Sequence, residues 1–367
     1  MKTAYTNSIV YSGESIERNK AVLVENGFID AVVDADNIPA DYRREDLGGL
    51  NIAPALIDLQ LYGGNGKMFS HSLDTASLQS TYDYCMEGGA AHFMITMATN
   101  SIDNFLKGIE AVRAYWDKGY KGLLGLHMEG PYLNPIKKGA HIERYIKKAE
   151  LDELKMLFDK GRGIIKMMTI APELCSDEAL AFLLKEGILL SAGHSNADYS
   201  QATRGFDKGI PMATHLFNAM SPLQGREPGL VGAVYDHPSA MASIICDGAH
   251  VDFVSVRISK KIMKERLFFI TDAVTEVKEG EYRHYYKGDR YTLENGTLSG
   301  SAINMMKGVC NAVQHAGISL EEALKMSSTY PARLLGGEPR LGKIAAGYKA
   351  DLMVFTDQLE VVKMIVS

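Results

Sequence analysis

Between residues 50 and 275 the chain alternates short, nearly unbroken apolar runs with amphipathic stretches. The runs are LNIAPALIDLQLYGG, AAHFMITMATN, GLLGLHMEGPY, GIIKMMTIAPE, ILLSAGHS, PMATHLFNAM, ASIICDGAHV and LFFITDAV. A strand covered on both faces reads as continuous apolarity, not as alternation, so these runs predict buried parallel strands. Helical patterns separate several of them. SIDNFLKGIEAVRAYWDKG offers Ser101 or Asp103 as a cap and ends on a glycine, and SDEALAFLLKEG starts on Ser176 and closes on Gly187. NADYSQATRGFDKG and SVRISKKIMKERL are further helical candidates. Eight alternations of strand and helix predict an α/β fold, a TIM-like (β/α)8 barrel. A doubly wound open sheet also alternates, but no GxGxxG follows the first strand and the reactive residues are spread over many strands.

The two ends have a different rhythm. TNSIVYSG and KAVLVENGFIDAVVD read as strands joined by turns, with Glu25-Asn26-Gly27 as a hairpin turn, followed by the polar loop DNIPADYRREDLGG. The last stretch, LGKIAAGYKADLMVFTDQLEVVKMIVS, has the same character. Paired ends would form a small β-sandwich domain from residues 1–52 and 339–367, with the barrel, 53–338, inserted between them. After the eighth run, TEVKEGEYRHYYKGDRYTLENGTLSGS predicts a β-hairpin or flap over the barrel mouth. MMKGVCNAVQHAGISLEEALKMSSTYPARLLG predicts two helices that close the barrel.

Five of the runs end in a residue able to bind a metal or move a proton: Glu129, His194, His215, Asp247 with His250, and Asp272. Barrel enzymes carry their chemistry at such strand ends. Catalytic zinc-type sites use three nitrogen or oxygen ligands and leave a position open. Glu129, His194 and His215 supply that set. A carboxylate after LLGLHM is buried, and a buried carboxylate needs a partner or a metal. Asp272, after LFFIT, is placed to shuttle a proton to and from water, although Asp also serves as a helix N-cap. These residues predict a metal-assisted hydrolase.

Composition narrows the partners. The 367 residues are 46% hydrophobic and 23% charged, with a net charge of −6 and no long basic block. That excludes a nucleic-acid or anionic-membrane surface as the working partner. No stretch approaches about 18 apolar residues, and the N-terminus lacks a signal-peptide core. Cys85, Cys175, Cys246 and Cys310 are scattered without a CxxC pair, as in reduced cytoplasmic proteins.

The motifs HMEGPYL, KKGAH, SAGHS, THLFNAM, ICDGAH, FITDA, NGTLSGS, YPARLLG and GKIAAGYKADL, with Ala53–Asp58 in place of the usual PGfID, occur here in one order. In them the chain resembles the amidohydrolase superfamily over nearly its full length, and within it the N-acetylglucosamine-6-phosphate deacetylases. The resemblance implies one divalent metal, zinc with iron, cobalt or manganese as alternatives, on Glu129, His194 and His215, with Asp272 as proton shuttle. It implies that His141 contacts the acetamido group and polarises its carbonyl. It places the sugar phosphate on Asn218, Ala219, Arg226 and His250, with Ala140, Asp247, Gly248, Ala249, Leu298, Ser299 and Gly300 completing the sugar site. It also implies a homodimer. Many amidohydrolases bind a second metal through His-x-His on the first strand. Here Gln60 and Tyr62 stand at those positions, which predicts a single ion. Enzymes with that pair often carry a bridging carbamylated lysine on the fourth strand; Lys166 lies in that region but near the start of its run.

Overall fold

The computed structural model describes residues 2–336 and 340–366. All eight apolar runs form strands of one parallel sheet, neighbours in sequence being neighbours in space. The strands are Leu56–Leu61, Ala90–Ala98, Leu123–Glu129, Ile165–Ile170, Leu189–Ala192, Met212–Ala213, Met241–Ile245 and Leu267–Ile270. The intervening helices bury the faces their spacing foretells. Helix Ile102–Asp117 is capped by Ser101, whose side chain accepts from the Asn104 N–H, and it buries Phe105, Ile109, Val112 and Tyr115. Ser176 caps Asp177–Lys185, and Asp198 with Gln201 forms a capping box for Tyr199–Asp207.

The eighth and first strands share no full ladder. The barrel closes there through few bonds, all near the carboxyl ends. The Asp272 N–H donates to Gln60 O and the Tyr62 N–H to Ala273 O, both at 2.9 Å. Two residues earlier on the first strand, the Asp58 carboxylate accepts from Thr271 Oγ1 at 2.5 Å and from the Thr271 N–H at 3.2 Å. Closing the barrel and joining Gln60 to Asp272 are therefore one event.

The segment after the eighth strand is a three-stranded antiparallel sheet, Tyr285–Tyr286, Arg290–Thr292 and Leu298–Ser301, where a hairpin or flap was expected. Its last strand is bound to the barrel: the Ser301 N–H donates to Asp272 O at 3.0 Å and Ser301 Oγ to Thr271 O at 2.5 Å. The closing segment holds three helices, Met305–Gln314, Leu320–Ser327 and Thr329–Leu335, where two were expected. Pro331 has no N–H to give the Ser327 carbonyl, and the helix restarts at Thr329.

The chain ends meet in one seven-stranded sheet, but through an intermediary. Asn51–Pro54 pairs antiparallel with Leu352–Phe355 and parallel with Ile9 and Val10 of strand Lys2–Tyr11. The first apolar run thus splits at Ala55 between two sheets. The expected polar loop contains strand Arg43–Asp46, whose RRED sequence has no apolar face to announce it. Alternation places Ala4, Ala21 and Leu23 in one apolar cluster and Tyr5, Val22 and Val24 in another, so the sheet carries a core on each face. The junction expected at 338–339 lies outside the described residues.

Burial pushes the Asp58 carboxyl from an ordinary 3.8 up to about 7, against the hydrogen bonds from Thr271. The folded state then keeps a proton that the unfolded chain has lost, so this group's contribution to stability declines as pH rises from about 4 to about 7. In chelator-treated protein, Asp58→Asn is expected to flatten that decline by roughly 2–4 kcal/mol of unfolding free energy. Urea titrations across this pH range check it, and parallel curves for both proteins would refute it.

Candidate active site

Three of the expected reactive residues share an unusual backbone. His194, His215 and Asp272 have φ of 47°, 34° and 55°, the left-handed region that non-glycine residues seldom enter. Each lies just past the end of a barrel strand, so the chain turns sharply there and delivers the side chain to the mouth. Neighbouring bonds hold the strain. Asn134 N–H donates to His194 O at 2.9 Å, His215 N–H to Ser243 Oγ at 2.8 Å, and Asp272 N–H to Gln60 O at 2.9 Å. Glu129 ends the third strand. Gly130 follows it at φ 88°, where a Cβ would lie 2.2 Å from Thr99 Oγ1, which itself donates to Glu129 O at 2.9 Å.

Glu129 is wholly buried, and its two oxygens face two sets of groups. Oε1 lies 3.2 Å from His215 Nε2 and 3.5 Å from His194 Nε2, and these two nitrogens are 3.1 Å apart. Three donors at such spacing fit around one small cation, since tetrahedral ligands about 2.1 Å from a metal are about 3.4 Å from one another. Oε2 lies 3.1 Å from His141 Nε2 and accepts from the Tyr62 hydroxyl. Glu129, His141 and His194 also present ligand atoms within 4.8 Å of one another, so proximity alone leaves the third ligand open between His141 and His215.

Hydrogen bonding of the far ring nitrogens separates them. His194 Nδ1 lies 2.9 Å from Lys137 O, an acceptor only, so Nδ1 carries the proton and Nε2 offers a lone pair. His141 Nδ1 accepts from the Thr99 N–H at 3.1 Å, so the neutral ring carries its proton on Nε2, facing Glu129. In that tautomer His141 is a donor toward the site and has no lone pair there to offer a metal. His215 Nδ1 is buried without a partner, which leaves its Nε2 free to take either form. Burial, with His141 nearby, brings His194 down to about 4 and keeps it neutral. Burial alone would raise Glu129, but the surrounding histidines, His141 foremost, hold it well below the usual carboxylate range.

The first strand supplies a side of the site that its sequence marks only by spacing. Asp58, Gln60 and Tyr62 recur at every second position and so share one face of the strand. Gln60 Nε2 donates to Glu129 Oε1 at 2.9 Å and to Asp272 Oδ1 at 2.8 Å, linking the two carboxylates. The amide is oriented by that pair, because the reverse would set its oxygen against both. Burial and the two carboxylates raise Tyr62 far above its ordinary value, so it stays a donor. Burial also raises Asp272, against the pull of His215.

The other expected residues divide. Ala140, His141 and Ser299 line a small cavity with Tyr62, Tyr282 and His284. Gly300, at φ 144°, packs where a Cβ would lie 3.0 Å from Asp272 O, and Leu298 begins the same strand. Asp247 spends its carboxylate on its own loop, accepting from the N–H groups of Ala249 and His250 and pairing with His250 Nδ1 at 2.6 Å; Gly248 takes the left-handed turn between them. Asn218 Nδ2 lies 3.4 Å from His215 O, and Ala219, at φ 50°, accepts from the Ser195 N–H. Arg226 is exposed and lines a separate cleft with Asn196, Tyr199 and Ser221, away from the carboxylates. Lys166 is exposed and does not face the metal cluster. The four cysteines are free thiols, and among the described residues no helix is long and apolar enough to cross a membrane.

Barrel, strand-end ligands and end-to-end sheet define a class, and comparison confirms it. The chain belongs to the amidohydrolase family, whose profile matches residues 51–367, while a NagA composite domain matches residues 4–52. An N-acetylglucosamine-6-phosphate deacetylase from Haemophilus influenzae is 36% identical over all of this chain and 98% of its own length. The crystal structure of N-acetylglucosamine-6-phosphate deacetylase from Pasteurella multocida superposes with a TM-score of 0.94 at 34% identity, covering 100% of this chain and 98% of that one. An N-acetylgalactosamine-6-phosphate deacetylase from a Shewanella strain is 29% identical over 88% of this chain and 83% of its own.

The tautomers predict distinct metal phenotypes. His194→Ala and His215→Ala are expected to lose bound divalent metal after dialysis, whereas His141→Ala keeps wild-type metal content. Elemental analysis of the purified variants decides, and metal loss in His141→Ala with retention in His215→Ala would reverse the ligand assignment.

Proposed function

We propose that this chain hydrolyses the acetamide of N-acetyl-D-glucosamine 6-phosphate to D-glucosamine 6-phosphate and acetate. The observation that carries this reading is the split around Glu129: the Nε2 atoms of His194 and His215 face Oε1, and the donors of His141 and Tyr62 face Oε2. Glu129, His194 and His215 would hold one divalent ion, zinc in the first place, with iron, cobalt and manganese chemically suited. Such an ion supplies a Lewis-acid charge and lowers the pKa of a water to about 7. The Gln60 amide stands between the carboxylates that a second ion would need, which supports a single-ion site.

Asp272 takes the proton from the attacking water and returns it to the departing amine. Its burial, which raises its affinity for a proton, suits both halves of that exchange. The His141 Nε2–H donates to the oxyanion that forms at the carbonyl, a role worth roughly 3–4 kcal/mol per donor in amide hydrolysis. Arg226 and His250, with the backbone at Asn218 and Ala219, bind the phosphate, and the 247–249 and 298–300 segments border the sugar. A cytoplasmic homodimer belongs to the same reading. The Shewanella relative supports the galactosamine epimer as a second substrate, since one hydroxyl separates the two sugars.

Acetate release is expected from N-acetylglucosamine 6-phosphate far faster than from the unphosphorylated sugar; equal rates would overturn the phosphate roles of Arg226 and His250. Asp272→Asn is expected to keep its metal and lose turnover by about 10²–10⁴-fold. Near-normal turnover in that variant, with metal content intact, would remove Asp272 from the mechanism.

A further inference from the structure

Beside the Glu129 carboxylate lies a cavity of about 30 Å³. Its polar rim is His141 and Tyr62, the two donors that face Glu129 Oε2. Its far wall is apolar. Tyr62, Met68, Ala98 and Val274 form a buried cluster of their own, separate from the barrel core. The cluster packs against Val277, Tyr282 and Tyr291, and the face it turns to the cavity suits a ligand's alkyl group.

The walls are tied in place. Tyr282 closes one side, donating its hydroxyl to Thr99 O at 2.6 Å and accepting from the Ile142 N–H at 3.3 Å. His284 stacks beside it and is held by Ser299 Oγ at 2.9 Å from Nδ1. The Tyr62 backbone is fixed by the barrel seam. A cavity this size holds about two water-sized groups, far too little for a hexose ring.

Given the deacetylase reading, on which this rests, the carbonyl carbon carries three groups: the oxygen toward His141 Nε2–H, the nitrogen toward Asp272, and the acyl chain. We propose that the Tyr62–Met68–Ala98–Val274 cavity is the acyl pocket, and that its volume restricts the enzyme to formyl, acetyl and, weakly, propionyl amides of the amino sugar. Tyr62 acts here as a specificity-determining wall as well as a partner of Glu129.

The test is an N-acyl series of glucosamine 6-phosphate, from formyl to butyryl, assayed by release of free amine. The wild type is expected to lose about tenfold in kcat/KM from acetyl to propionyl and about a hundredfold or more to butyryl. Val274→Ala and, independently, Met68→Ala are expected to raise the butyryl-to-acetyl ratio at least tenfold. Ala98→Val is expected to depress acetyl relative to formyl at least tenfold. Calorimetric affinities for the butyryl compound, measured in an Asp272→Asn background, should tighten with Val274→Ala. Acetate release with a chain-length profile that none of these variants moves overturns the pocket alone. No amine release from any member of the series by the wild type overturns the deacetylase reading and the pocket with it.

Discussion

The site depends on one buried charge. Glu129 has no exposure, and an unpaired carboxylate in that position would cost far more than the fold could supply. Everything around it compensates. Gln60, Tyr62 and His141 give it hydrogen-bond donors, while His194 and His215 set nitrogen atoms against Oε1. A divalent ion held at the Oε1 side, as proposed, would answer the remaining charge. The two oxygens thereby acquire different jobs, and the histidines acquire theirs from which oxygen they face and from what their far nitrogens touch.

The barrel's closing seam makes this possible. Eight strands bring ligands to one mouth, but the first and eighth strands meet through only a few bonds. Those bonds involve the backbone of Gln60, Tyr62, Asp272 and Ala273; the Gln60 and Tyr62 side chains contact Glu129, and Tyr62 also lines the cavity beside it. Asp58 and Thr271 clamp the same seam one step below. Ser301 then fastens the three-stranded sheet to Asp272 and Thr271, carrying Ser299 and Gly300 to the rim. Barrel closure, Asp272 and Tyr62 share one set of contacts, so strain in any of them reaches the others.

The strands and the polar residues at their ends were legible because burial on both faces leaves an unmistakable apolar run, and because Glu, His and Asp stand out at the end of one. Gln60 and Tyr62 were visible as departures from His-x-His, yet their positive role was not. Neither residue type announces a site, and only the period-two alignment with Asp58 hinted that they point inward. The hydrogen bonds that orient His141 and His194, from a backbone N–H at Thr99 and to a carbonyl at Lys137, are encoded by no side-chain pattern. Strand Arg43–Asp46 escaped for a related reason: backbone pairing places it, with no apolar face to mark it. Arg226 shows the converse, a residue conspicuous in its motif that stands on an exposed loop apart from the carboxylates.

That separation fits the division of labour within the molecule. Glu129, His141, His194, His215 and Asp272 are all buried, and the last three sit at positive φ. Of the residues proposed for the phosphate, Arg226 is exposed, whereas the His250 side chain is nearly buried against Asp247. Under the proposed reading, phosphate recognition at the rim would supply binding while the carbonyl meets His141 and Asp272 in a narrow geometry. The glycine after Glu129 and the left-handed turns at His194, His215 and Asp272 set that geometry before any ligand arrives. The cost is local backbone strain, and the closely packed barrel beneath is what offsets it.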